Sequence, residues 1–180
     1  MGWYYGIDNS KKDVIREVTA DTVFEKGTSR TLRKCVKGNV LWSVREVNLK
    51  DGNVQKFIEC NLLDKSDGNW GYKPMDESMG PYYYTCPLAY LEMVPAANEK
   101  WREEVRKHHA RISSGKDALR SLAIGDDVVL RQGHTPNRLT LASRKPLRGY
   151  AGGLLYRFPA KAIDPDETLK AKAEPKASSN

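Results

Sequence analysis

From Thr31 to Leu63 the chain turns from polar to apolar and back at nearly every step, the period of two expected of strands with one covered face. Val40, Trp42 and Val44 share one side of "VLWSVREVNL", and Val54, Ile58, Cys60 and Leu62 share one side of "VQKFIECNLL". Gly38–Asn39 and Asp51–Gly52 stand at the breaks, where hairpin turns need glycine next to a small polar residue. With "TLRKCVK" in front, the pattern predicts a three-stranded antiparallel meander. Upstream, "WYYGI" (Trp3–Ile7) reads as a short aromatic strand. Ser10 with Asp13 three residues on resembles a capping box, and Ile15, Val18 and Thr22 fall on one face of the helix it would open. Downstream, Pro87 suits the first turn of a helix over "PLAYLEMV", which Pro95 would stop. The order β-α-β-β-β-α predicts an α+β domain.

The clearest helical stretch is "NEKWREEVRKHHARISSG", expected over residues 98–113. Asn98 can cap it, Glu99, Glu103 and Glu104 favour its positive end, and Lys107, His108, His109 and Arg111 favour its negative end. Trp101, Val105, His108 and Ile112 form a narrow apolar stripe, while Arg102, Arg106 and His109 form a second row. That row reads either as a phosphate-facing surface or as a solvated side laced by Glu103–Lys107 pairing. Further on, "VVLR", "RLTLASRK" and "GLLYRF" are short strand patterns separated by glycine and proline, followed by the turn "PAKAI". Such spacing suits a small antiparallel barrel. After Leu169 almost no large apolar group remains. The expected layout is therefore an α+β domain over 1–114, a small basic β-barrel over 115–164 and a disordered tail over 165–180.

The phrase "IGDDVV" and the strands after it resemble the SH3-like barrels of KOW and Tudor type, whose opening strand often follows a Gly-Asp pair. The turn "KPLRGYAGG" is longer than that pattern needs. The resemblance implies a small barrel whose basic loop face carries nucleic acid or peptide.

Charge sharpens this division. The chain carries a formal charge of +7 in 180 residues. Residues 1–96 hold 13 basic and 13 acidic side chains, residues 97–164 hold 14 and 7, and residues 165–180 hold three of each. All three histidines lie in the basic stretch. An asymmetry of this kind points to a polyanionic partner, DNA or RNA; the alternative is a surface that is basic for solubility. The candidate nucleic-acid contacts are Arg102, Arg106, Arg131, Arg138, Arg144, Lys145, Arg148 and Arg157, with Tyr150 as a stacking surface. No recognition-helix or zinc-finger pattern is present, so weak sequence specificity is expected.

Residues 68–87, "GNWGYKPMDESMGPYYYTCP", have no helical or strand period. As an active site, Asp76 and Glu77 would be acid and base and Cys86 a nucleophile. Adjacent carboxylates in an extended segment point apart, and no histidine is near in sequence, so no catalytic residue is assigned. As a partner surface, Trp70, Tyr72, Tyr82, Tyr83 and Tyr84 offer apolar area with polar ends. As a structural plug, Met75, Met79 and the tyrosines would close a small core, with Gly71 and Gly80 supplying turns and Asp76 pairing with Lys73 or backbone amides. The plug is the preferred reading. The succession Gly-Tyr-Lys, Met-Asp-Glu, Met-Gly-Pro-Tyr and Cys-Pro resembles the signature of a family of small proteins carried by bacteriophages, plasmids and their hosts. "GWYYG" and "NEKWREEVRKHH" fit the same layout, so the resemblance covers residues 2–113. It implies a mobile-element setting and brings no established activity.

The three cysteines, Cys35, Cys60 and Cys86, form no C-x-x-C pair and lie far from the histidines, so neither a disulfide framework nor a metal site is assigned. No cofactor is implied. No apolar run approaches the ~18 residues of a membrane span, and the N-terminus has no secretory pattern, so a cytoplasmic protein is expected. The preferred function is a non-catalytic nucleic-acid-binding accessory or regulatory protein of a phage or mobile element. The alternative is a protein-interaction module that inhibits a host defence or replication enzyme through the aromatic loop 70–86.

Overall fold

Alternation across the first half becomes a six-stranded antiparallel sheet, and the fold class is α+β. The structure, a computed structural model, describes residues 2–173 and divides into two compact units, Met1–Arg106 and Lys107–Asn180. In the first unit the elements are β1 (Tyr4–Tyr5), α1 (Lys11–Val18), β2 (Thr22–Phe24), β3 (Gly27–Lys37), β4 (Val40–Leu49), β5 (Val54–Ser66) and β6 (Asn69–Asp76). A 3₁₀ turn, Glu77–Met79, follows, then α2 (Leu88–Leu91) and the start of α3 (Glu99–Ser121), which runs through the division. The sheet order is β1-β6-β5-β4-β3-β2.

The helix starts are local and form as the sequence predicts. Ser10 and Asp13 make a reciprocal capping box at α1, and the Asn98 side chain accepts from the Trp101 amide at the start of α3. The meander is larger than expected. Residues 69–76, expected to be irregular, form β6, and β1 pairs with it at Tyr4↔Tyr72 and Tyr5↔Gly71. Pro74, which lacks the amide a ladder needs, is tolerated because β1 ends short of it and leaves that edge open. Gly71 is not a turn: a Cβ there would lie 2.3 Å from the Tyr5 ring, so glycine lets that ring lie across the strand.

β4 is buried continuously from Val40 to Glu46 because both of its faces are covered. Val40, Trp42 and Val44 meet Ile58, Cys60, Tyr90, Leu91, Trp101 and Val105 on one face, while Leu41 and Leu63 meet Val14 of α1 on the other. Arg45, also buried, donates to the carbonyls of Val18 and Ala20 and to the hydroxyls of Ser29 and Thr31. It thereby satisfies acceptors left open at the end of α1.

The second unit holds β7 (Asp127–Val129), β8 (Arg138–Arg144), β9 (Leu147–Ala151), β10 (Leu154–Arg157), a 3₁₀ turn at Ala160–Ala162 and α4 (Pro165–Ala173). The sheet order is β10-β9-β8-β7. After the 3₁₀ turn the chain returns along the other side of β7, with Ile163 bridging Leu130 and the Asp164 amide donating to Val129. The long turn "KPLRGYAGG" contains β9, and Gly152 and Gly153, both at positive φ, make the two-residue turn to β10. The tail expectation fails over 165–173. Asp164 caps α4 at the Glu167 amide, and Thr168 is buried with its hydroxyl bonded to both the amide and the carbonyl of Val129. A threonine, not a large apolar group, docks this helix. The rest of that expectation, 174–180, lies outside the described residues.

Candidate nucleic-acid interface

The basic row expected along α3 does not form. Arg102 is 4% exposed, and its guanidinium grips Glu77 with two bonds, Nε to Oε1 at 2.5 Å and Nη2 to Oε2 at 2.8 Å. Its remaining donors reach the carbonyls of Leu91 (2.7 Å), Val94 (3.2 Å) and Pro95 (2.9 Å). Glu77 also accepts from the amides of Ala97 and Asn98. The bonds to Glu77 hold the Arg102 guanidinium above its ordinary pKa, so it stays charged at any working pH. Arg102 is a clamp on the turn after β6 and is withdrawn from any phosphate. Arg106 pairs with Glu99 at 2.5 Å on an exposed face. His108 adds no charge at neutral pH, because burial, then Lys161, His109 and Arg111, hold it below its ordinary value.

The aromatic segment is divided in the same way. Trp70 and Tyr72 pack beside α1, with the Lys11 ammonium 4.9 Å from the Trp70 ring and Tyr4 stacked on Tyr72. Tyr84 packs against the larger core, whereas Tyr82 and Tyr83 are exposed. The five residues therefore do not make one surface. Asp76 caps the 3₁₀ turn at Met79, and Gly80 ends that turn in the left-handed region. Cys86 is fully buried and its thiol is pushed far up by desolvation, so it supplies no thiolate at neutral pH. Among the described residues no cluster of three or more His, Cys, Asp or Glu could hold a metal ion, and no helix is long and apolar enough to cross a membrane.

In the second unit the cations do converge. A Cβ at Gly115 would lie 2.0 Å from the Ala160 carbonyl, so the latter part of α3 lies backbone to backbone against the segment after β10. That approach, with the β8–β9 hairpin tip, forms an open groove of about 740 Å³. Its lining carries Lys116, Arg120, Arg144, Lys145 and Arg157 and no carboxylate. Leu119, Pro146, Leu147 and Phe158 supply an apolar floor. Arg120 pairs with Asp117 on an exposed face, and Arg144 donates to the Leu122 carbonyl. Lys116, Lys145 and Arg157 have no ion pair among the described residues.

The charge continues onto the outer face of the sheet. Arg148 stands directly opposite Arg157 in the β9–β10 ladder, and neither has a carboxylate partner among the described residues. Like charges directly opposite destabilise a sheet, so this pair suits a surface that meets an anion. Tyr150, half exposed, shares that face with Arg148 and lies opposite Leu155 and Thr140. Arg138 is less available, because it forks onto Asp127 at 2.9 and 3.1 Å. Arg131 lies apart from the groove lining, half buried. Lys116 and Arg120 were missed from sequence, although their i, i+4 spacing on one helix face is a usable signal.

No family model matches the chain, and no solved structure matches it. Among curated proteins, the chain is 32% identical over 93 residues to the phenylalanine–tRNA ligase beta subunit of Listeria monocytogenes serovar 1/2a (strain ATCC BAA-679 / EGD-e). That similarity covers 49% of this chain and 11% of the ligase subunit, so the chain spans about a tenth of the relative's length.

Proposed function

We propose that the second unit binds nucleic acid through its phosphates, with little base specificity. The observation that carries this reading is the groove in which five cations line an apolar floor without an acidic side chain. Phosphates would lie against Lys116, Lys145 and Arg157 and continue past Arg148, releasing counterions, while Tyr150 offers a stacking face. The similarity to a ligase whose name carries tRNA supports a nucleic-acid partner. The resemblance to phage- and plasmid-borne proteins supports an accessory or regulatory role in a mobile element, acting in the cytoplasm.

The test is fluorescence anisotropy with labelled single-stranded RNA and duplex DNA between about 50 and 200 mM salt. If all five groove cations meet phosphates, the logarithmic salt slope is about −3.5 for a single strand and about −4.5 for a duplex, a loss of roughly 100- to 500-fold across that range. Lys145→Glu, Arg148→Glu and Arg157→Glu together should abolish binding while the fold survives, since all three side chains are exposed. Absence of binding at low salt, or full binding by the triple variant, would overturn the reading.

A further inference from the structure

A second open groove, of about 400 Å³, lies in the first unit, and its character is opposite. Trp3 and Tyr83 wall it, Leu62 and Leu63 lie in its lining, and Asp64 is the one charged residue that lines it. Trp3 is 41% and Tyr83 38% exposed, large aromatic area that the fold leaves uncovered. These groups are held in place. The Tyr5 hydroxyl donates to Asp64 Oδ2 at 3.1 Å across Gly71, and the Tyr5 ring stacks on Trp3 with centroids 5.8 Å apart. The Trp101 indole donates to the Tyr83 carbonyl at 3.3 Å. Desolvation first, then the bond to Asp64 and the charges of Asp64 and Asp67, push the Tyr5 hydroxyl above its ordinary pKa, so it stays a protonated donor to Asp64.

We propose that this groove takes the cationic side chain, arginine or lysine, of a protein partner. Aromatic ring faces attract a cation, a carboxylate completes its pairing, and half-buried Leu62 accepts the aliphatic stem. Lys73, opposite Leu62 on β6, stands outside the lining. The chain's net charge of +7 repels cations at long range, so a preference for one here arises from the groove itself. The inference does not rest on nucleic-acid binding by the second unit.

The test uses fluorescein-labelled extended octapeptides that differ only at one central position, arginine or its neutral isostere citrulline, measured by anisotropy at roughly physiological salt. The arginine peptide should bind about tenfold tighter. Asp64→Asn, an isosteric change at an exposed position, should erase that preference, and Trp3→Ala should weaken the arginine peptide about tenfold. Both variants should keep the parent's melting temperature and its affinity for single-stranded RNA. Equal affinity for the two peptides, a preference that persists in Asp64→Asn, or no binding of either peptide at millimolar concentration would each overturn the proposal.

Discussion

Replacing Arg102 by methionine tests the clamp directly. The substitution keeps an unbranched stem and removes the guanidinium, whose donors reach both oxygens of Glu77 and three backbone carbonyls. Glu77, 1% exposed, is then left as a buried carboxylate with only the Ala97 and Asn98 amides. Removing one partner of a buried ion pair costs about 3–5 kcal/mol, and the orphaned carbonyls of Leu91, Val94 and Pro95 keep the figure near the top of that range. At roughly 4–8 °C per kcal/mol for a unit of this size, the melting temperature should fall by about 15 °C or more. Urea unfolding followed by tryptophan fluorescence is a suitable assay, because Trp42 and Trp101, 5.7 Å apart, lie in the core that the clamp closes. The paired change Glu77→Leu with Arg102→Met should recover most of the loss, since apolar groups of similar volume replace buried pairs at little cost. The reasoning fails if Arg102→Met lies within about 1 kcal/mol of the parent. It also fails if RNA affinity drops while stability is unchanged, for Arg102 would then face phosphate as the helical row suggested.

Other expectations follow from individual contacts. Gly115→Ala should destabilise the second unit by about 1–3 kcal/mol through collision with Ala160, although alanine is the better helix former; a stabilised variant in a circular-dichroism melt would contradict the close approach. Thr168→Val leaves the Val129 amide without its partner and should cost about 1–3 kcal/mol, seen as faster hydrogen exchange in α4; unchanged protection there would mean that the helix does not dock through this hydroxyl. The Cys60 thiol is pushed up to about 12 by burial, and Cys86 higher still, from an ordinary value near 9.0. Each folded-state pKa lies above its unfolded value, so their contribution is complete below about pH 9 and is lost as pH rises toward 12 and beyond. Maleimide at neutral pH should therefore leave both thiols unmodified until urea unfolds the chain, and rapid native labelling of either would refute their burial.

What was legible in the sequence is what is decided locally. The Ser10–Asp13 box, the Asn98 cap and the Asp51–Gly52 turn involve residues within a few positions of each other, and all form. β6 was not legible because its ladder depends on β5 and on Tyr4–Tyr5, far away in sequence, and because Gly71 and Pro74 read as breakers. Arg102 falls on the helix next to the Trp101–Val105 stripe, and periodicity alone places it at the boundary. Its burial is decided by Glu77, a carboxylate 25 residues upstream that only the folded chain brings within reach. For the groove, the charge asymmetry pointed to the half of the chain whose residues line it. Which cations converge depended on the close approach at Gly115, for which one glycine inside a helix is a weak signal.

β4 lies between two clusters of buried side chains, Trp42 and Leu41 being neighbours that anchor opposite sides, and β5 beside it does the same with Ile58 and Cys60 on one side and Leu63 on the other. Pulling either strand out would dismantle both clusters at once. The β4 amides from Val40 to Glu46 should therefore open to solvent only together with the packing on both sides of the strand, in a single concerted event.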